Sequence, residues 1–116
     1  MEENDPLVSL GDEERERVNR MFASCAEVVG VEHVSSAIAT GSTHSGDGQL
    51  VAYIGLEPSG KAHIAYALLA DAIRDMLDEG VNVIILLADW HAWVNDKFDR
   101  DMDKITIAGE YLAETF

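Results

Sequence analysis

Cysteine occurs once in the 116 residues, at Cys25, so no internal disulfide can staple the chain. Cys25 falls on the apolar stripe of an expected helix and reads as buried filler, not as a reactive thiol. Basic residues are scarce: 8 Lys and Arg stand against 22 Asp and Glu, a net charge of −14. Lysine itself is confined to Lys61, Lys97 and Lys104. A surface of that sign repels phosphate backbones, which argues against nonspecific nucleic-acid binding by this chain alone. Long apolar runs are absent as well. None approaches the ~20 residues that span a bilayer, so no membrane partner is expected. The opening residues 1–6 are acidic and polar, unlike a signal peptide, and the expected location is cytoplasmic.

What is present fits one small α/β domain. The apolar fraction, 47%, is ordinary for a chain that buries a core. The acid excess is spread along the whole chain. It reads either as plain solubility or as adaptation to a high-salt cytoplasm, where screening removes most self-repulsion within a few ångströms. The second account is preferred.

Residues 1–11 are expected to form a flexible acidic arm, and 12–116 the folded domain. Asp12 is a candidate N-cap before Glu13-Glu14-Arg15-Glu16, whose acids suit the positive end of a helix. Val18, Met21, Phe22, Cys25, Val28 and Val29 recur at helical spacing, which predicts an amphipathic helix over 12–29 closed by Gly30. Val31, Val34, Ala37 and Ile38 predict a shorter second helix ending at Gly41. Residues 41–49 are a loop by composition. His44 stands there without a second candidate ligand, so it reads as solvated and no metal site is expected.

Leu50 to Leu56 reads as a strand broken by Pro58 and Gly60. From Lys61 the pattern turns helical, with a stripe of Ile64, Ala67, Leu68, Ala72, Ile73, Met76 and Leu77, and Gly80 caps it. The continuous apolar run over 81–88 predicts a strand buried on both faces. Strand, helix, strand is a βαβ crossover and implies a parallel sheet. Residues 89–95 are then the loop at the carboxyl end of the second strand, where open α/β sheets bind ligands. Residues 102–115 form a last helix. Trp90 and Trp93 read as core.

The chemistry concentrates at the first strand–helix turn. A strand feeding a helix N-terminus is a common backbone device for holding a phosphate. The dinucleotide fingerprint G-x-G-x-x-G is absent. Gly55-Leu56-Glu57-Pro58-Ser59-Gly60-Lys61 matches G-x-x-x-x-G-K, the pattern of a phosphate-hydrolysing P-loop. The next position should carry a metal-ligating hydroxyl, and Ala62 has none. Glu57 and Pro58 also put an anion and a missing N–H where the phosphate nest should be.

A larger pattern covers nearly the whole chain from residue 12. Tyr53-Ile54-Gly55-Leu56-Glu57-Pro58-Ser59-Gly60-Lys61-Ala62-His63-Ile64-Ala65-Tyr66, then Leu87-Ala88-Asp89-Trp90-His91-Ala92, Asn95-Asp96-Lys97, and Asp103-Lys104-Ile105 through Gly109-Glu110-Tyr111, stand in order. These blocks resemble the tyrosyl-tRNA synthetases of archaea and eukaryotes, a family of class I aminoacyl-tRNA synthetases. Tryptophanyl enzymes are the nearest relatives, and the Tyr53 to Gly60 block looks like the tyrosyl kind. The resemblance implies a partial Rossmann-like (HUP-type) parallel sheet: a βαβ unit preceded by two helices. It implies ATP-dependent activation of tyrosine and transfer to tRNA, with Mg²⁺ arriving on ATP.

In that family His63 to Tyr66 takes the place of the signature His-Ile-Gly-His. The resemblance therefore makes His63 and Tyr66 catalytic, with Gly55, Ser59, Gly60, His63, Ala65 and Tyr66 facing ATP. An imidazole on the first turn of a helix can donate to a phosphate oxygen already facing free backbone N–H groups. Its bonds strengthen as charge builds on the phosphate, which is electrostatic stabilisation of the transition state. A His packed on the inner face of the helix is the competing reading. Ala65 stands for the signature glycine and Tyr66 for the second histidine; Tyr66 can hydrogen-bond but cannot carry positive charge near neutral pH. Tyr53, Glu57, Asp89 and His91 are implied to bind tyrosine, Tyr53 through the substrate hydroxyl. The competing readings are a strand filler for Tyr53, an orienting role for Glu57, helix capping for Asp89 and loop packing for His91.

The resemblance also implies segments with no counterpart here: the second half of the nucleotide fold, a Lys-Met-Ser-Lys-Ser-like loop and an anticodon-binding region that would meet tRNA. The expectation is a fragment, one half of a split enzyme needing a complementary half-chain, or a stand-alone relative; a homodimer also fits. A nucleotide-binding or protein-interaction module without catalysis is the alternative from another class.

Overall fold

The computed structural model describes residues 10–41, 43, 46 and 48–116. His44 and residues 1–9 of the expected arm lie outside them. Helices α1 (Asp12–Met21) and α2 (Val31–Thr40) precede strand β1 (Val51–Leu56), helix α3 (Ile64–Asp78) and strand β2 (Asn82–Leu87). Helix α4 (Asp89–Val94), a short turn over Lys97–Arg100 and helix α5 (Met102–Thr115) follow. The order is the expected βαβ unit behind two helices. β1 and β2 pair in a two-stranded sheet. Asn82 N–H donates to the Leu50 carbonyl at one end and Ala88 N–H to the Leu56 carbonyl at the other. The register is the same at both ends, so the strands run parallel.

The chain divides into two compact units, one of residues up to Ala52 with Asp71–Val83, the other of Tyr53–Ala70 with Ile84–Phe116. In the first, Leu10, Val18, Met21 and Val81 are buried. Leu10 and Gly11 are therefore not part of a loose arm: Leu10 sits in the core, and Gly11, not Asp12, is the N-cap of α1. The Gly11 N–H donates to the Glu14 carboxylate at 2.8 Å, half of a capping box.

Helix α1 ends at Met21, well short of the expected Val29. The last turn is drawn aside by partners distant in sequence. Arg20 Nη2 donates to the Glu79 carboxylate at 3.1 Å, Arg17 Nη2 donates to the Glu79 carbonyl at 2.7 Å, and Asp75 accepts from the Ser24 N–H at 2.9 Å. Val28 and Val29 are left exposed, and Cys25 is a half-buried free thiol in the turn, not helical core filler. Gly80 closes α3 as expected. At φ 79° it donates to the Leu77 carbonyl while Val81 donates to that of Met76, the paired bonds of a Schellman cap.

In the second unit Leu56, Pro58, Ala92, Ile105 and Leu112 are buried, and α4 packs on α5. Gly109 of α5 faces Pro58 and Leu87: a Cβ there would lie 3.6 Å from Pro58 and 3.8 Å from Leu87, ordinary packing contact. Asp101 caps α5, accepting from the Lys104 N–H at 3.2 Å. That backbone bond, then the Lys104 side chain, holds the Asp101 carboxyl below its ordinary value.

Two expectations fail here. Residues 89–94 are helical, because an apolar Trp90, Ala92, Trp93 and Val94 follow an acid at the helix start. β2 is not buried on both faces: Ile84 and Leu86 are exposed while Val83, Ile85 and Leu87 are half-buried. The neighbouring Tyr53 and Gly55 of β1 are exposed too, so one face of the sheet is bare among the described residues.

Candidate functional site

β1 ends at Leu56, whose side chain is buried, and Pro58 two residues on is buried beside α5. Between them the Glu57 carboxylate meets three groups. It accepts from the Asn95 side-chain amide at 2.7 Å and lies 3.5 Å from Lys97 Nζ and 3.8 Å from His91 Nε2. The Asn95 bond does most to hold the Glu57 carboxyl below its ordinary value; partial burial opposes it, and Lys97 and His91 add to it. In this chain the Glu57 carboxylate is thus engaged by Asn95, Lys97 and His91, the arrangement that an orienting role requires.

After Pro58 the chain is exposed through Ser59, Gly60 and Lys61. α3 starts at Ile64, so His63 stands at its N-cap position, one residue before the helix and not within its first turn. The His63 carbonyl accepts from the Tyr66 N–H at 2.9 Å. With the Tyr66 N–H so engaged, helix geometry leaves those of Ile64 and Ala65 without intrahelical partners. The His63 side chain is exposed, which disposes of a His packed inside. Its ring meets Tyr66 edge-on at 4.9 Å, and Tyr66 meets Phe116 at 5.9 Å. Ala65 is exposed on the same turn.

Tyr53 is 76% exposed, so it does not fill the core. A Cβ at Gly55 or at Gly60 would meet nothing within 4 Å. Neither glycine is demanded by the packing of this chain. The Asp89 carboxylate accepts from the Trp90 N–H at 2.7 Å within the first turn of α4, whose N-cap is Ala88, so Asp89 is not the capping residue. His91 is exposed apart from its approach to Glu57. Trp90 is 68% exposed and so is not core; Trp93 is half-buried, with its ring 6.1 Å from that of Trp90 and the Arg100 guanidinium 5.2 Å over it.

The structure thus brings Glu57 and His91 together, and separately His63 and Tyr66. It adds Asn95, Lys97 and Phe116, to which sequence reasoning gave no role. The Asn95-Asp96-Lys97 run was the available signal for the first two. A cleft of about 630 Å³ also opens beside the turn, lined by Lys61, Phe98, Lys104, Ile107 and Tyr111 among others. Among the described residues no group of three or more His, Cys, Asp or Glu side chains could hold a metal ion.

This turn, with its exposed His at a helix start, lies inside a longer match. The family model described as tRNA synthetases class I (W and Y) matches residues 45–115. The chain belongs to that family. Among curated relatives of this class I group, the tyrosine–tRNA ligase of Sulfurisphaera tokodaii is 36% identical over 99 residues, 85% of this chain and 26% of that protein. The tyrosine–tRNA ligase of Saccharolobus solfataricus is 33% identical over 99 residues, 85% of this chain and 25% of its own length. The chain thus spans about a quarter of the curated relatives it matches. The crystal structure of tyrosyl-tRNA synthetase from Aeropyrum pernix superposes with a TM-score of 0.75 at 35% identity, covering 87% of this chain and 29% of that one. The small parallel sheet and its flanking helices are therefore a piece of the synthetase's Rossmann-like fold. A P-loop hydrolase is set aside by the same match.

Proposed function

We propose that residues 12–116 are the N-terminal, ATP-facing part of a tyrosine–tRNA ligase catalytic domain. The observation that carries this reading is His63: an exposed side chain at the N-cap position of α3, at the end of the helix where the Ile64 and Ala65 amides have no intrahelical partner. Such a site suits an anion, since the amides and the positive end of the helix point the same way. His63 donates to the α-phosphate region as the tyrosine carboxylate attacks, and its bond strengthens as negative charge grows there. Gly55, Ser59, Gly60 and Ala65 let the nucleotide lie close to the backbone, and Tyr66 supplies a hydroxyl for phosphate or ribose. Tyr53, projecting from the bare sheet face, contacts the substrate phenol. A site that satisfies that hydroxyl rejects phenylalanine, because an empty pocket would leave polar groups unpaired. Mg²⁺ would arrive held by ATP; among the described residues no group of three or more His, Cys, Asp or Glu could hold it.

The partners under this reading are L-tyrosine, tRNA for tyrosine through a part of the enzyme outside this chain, and a polypeptide that covers Tyr53, Ile84 and Leu86. That polypeptide is the remainder of a ligase in preference to a second copy, since about three quarters of each relative lies outside the matched part. No helix among the described residues is long and apolar enough to cross a membrane, and the compartment proposed is the cytoplasm.

Tyrosine-dependent ATP–pyrophosphate exchange tests the reading, with the chain alone and with a complementary C-terminal part added. Exchange only in the mixture, lost on His63→Ala, is the expected result. ATP binding without exchange in either sample would make the chain a nucleotide-binding module instead.

A further inference from the structure

Glu57 lies at the hinge of two segments that are separate in sequence. It directly follows β1, and its carboxylate is met by His91 and Asn95 of the α4 region and by Lys97 of the turn that follows. The residue after it, Pro58, is buried against Gly109 of α5. Beyond Pro58 the chain runs through exposed Ser59, Gly60 and Lys61 and half-buried Ala62 to exposed His63, with no regular structure before Ile64. Upstream, then, the path of this stretch is set by two fastenings: a polar one at Glu57 and an apolar one at Pro58. Pro58 fixes depth, because its ring has no donor and only fills space. Glu57 fixes direction, because a carboxylate accepting from a side-chain amide at 2.7 Å tolerates little rotation.

We infer that Glu57 is a positioning residue: with Asn95 as its principal partner, it aims the exposed turn that delivers His63. This rests on the ligase reading of that turn. It also separates Glu57 from the residues that touch tyrosine, and it gives Asn95 a task that sequence alone did not reveal. Lys97 and His91 add charge to the clasp. The Asn95 amide supplies its geometry.

The pair is testable by reversing its polarity. Asn95→Asp sets two carboxylates at the distance of a hydrogen bond. Glu57→Gln keeps the shape and removes the charge. Together, Glu57→Gln with Asn95→Asp restores one donor and one acceptor, the other way round. Two readouts are used. The first is the 116-residue chain itself, by the backbone amide resonances of residues 59–63. The second is exchange activity in the mixture with the complementary part, with KM for ATP and for tyrosine measured separately.

Asn95→Asp is expected to shift those amides and raise KM for ATP by about 10- to 100-fold, the cost of misplacing a positioned group. KM for tyrosine stays within about twofold, and the double variant recovers most of the loss in both readouts. Unmoved amides in Asn95→Asp, or a double variant as poor as the worse single one, would overturn the inference. So would a rise confined to KM for tyrosine, which would make Glu57 a substrate contact. If the wild-type mixture shows no exchange while the amides shift and recover as expected, the ligase reading fails and the clasp stands.

Discussion

Gly55 offers the sharpest separation of fold from function. It lies inside β1 on the exposed side of the strand, and a Cβ built there meets nothing within 4 Å. Its φ is outside the left-handed region, so an L side chain can adopt the backbone as it stands. Folding therefore has no use for glycine at this position and loses by it. Glycine inside a strand costs about 0.5–1 kcal/mol relative to alanine, through the freedom it gives the unfolded chain. Gly55→Ala should stabilise the chain by that amount, which for a domain of this size raises the melting midpoint by about 2–4 °C. The same methyl would stand where a nucleotide or the tyrosine ring approaches the strand. Exchange activity in the mixture should fall by at least ~10-fold, the size of effect that a small displacement of bound reactants produces. The assay pairs a thermal melt of each variant with its exchange rate. A stabilised variant with full activity would mean that nothing comes near Gly55, and a destabilised one would mean that the space above it is filled by the chain itself.

Three further outcomes are expected. The melting midpoint should be higher at ~3 M than at ~0.1 M KCl, because screening at a few ångströms removes most self-repulsion of a −14 chain; equal midpoints would remove the high-salt reading. The Arg20 hydrogen bond holds the Glu79 carboxyl below its ordinary value of 4.5, so the stability it gives is complete above that value and lost as pH falls through the lowered one. Urea midpoints of the wild type should therefore fall below pH 4.5 more steeply than those of Glu79→Gln, and parallel curves would contradict the pairing. Trp90, exposed in this chain, should be quenched readily by acrylamide and become protected when the complementary part is added; quenching that does not change would place the added polypeptide elsewhere.

Much of the fold was legible because its signals are local. The stripe from Ile64 to Leu77 and the glycine at position 80 specify α3 and its cap without help from distant residues. The strands were legible from their apolar runs, but their faces were not. An apolar run says that both sides of a strand are fit for burial; which sides are covered depends on neighbours, and here those of Ile84 and Leu86 leave them 51% and 55% exposed. The helix expected over 12–29 shows the converse. Its periodicity continues past Met21, but Asp75 and Glu79, more than fifty residues away, take hold of Ser24 and Arg20 and end it early. At the site, the residue types around His63 were visible in the sequence, and the one-residue offset of the helix start was not. That Asn95 and Lys97 return to meet Glu57 was not visible, because sequence order cannot show it.

The uncovered side of the sheet gives salt two opposed effects on this protein. Potassium chloride is expected to quiet the acidic surface and steady each molecule. The same screening lets copies approach, with Tyr53, Ile84 and Leu86 available to stick when they do. Preparations in brine should therefore melt later and yet scatter more light as they are concentrated. The useful working range is bounded by association on one side and by unfolding on the other.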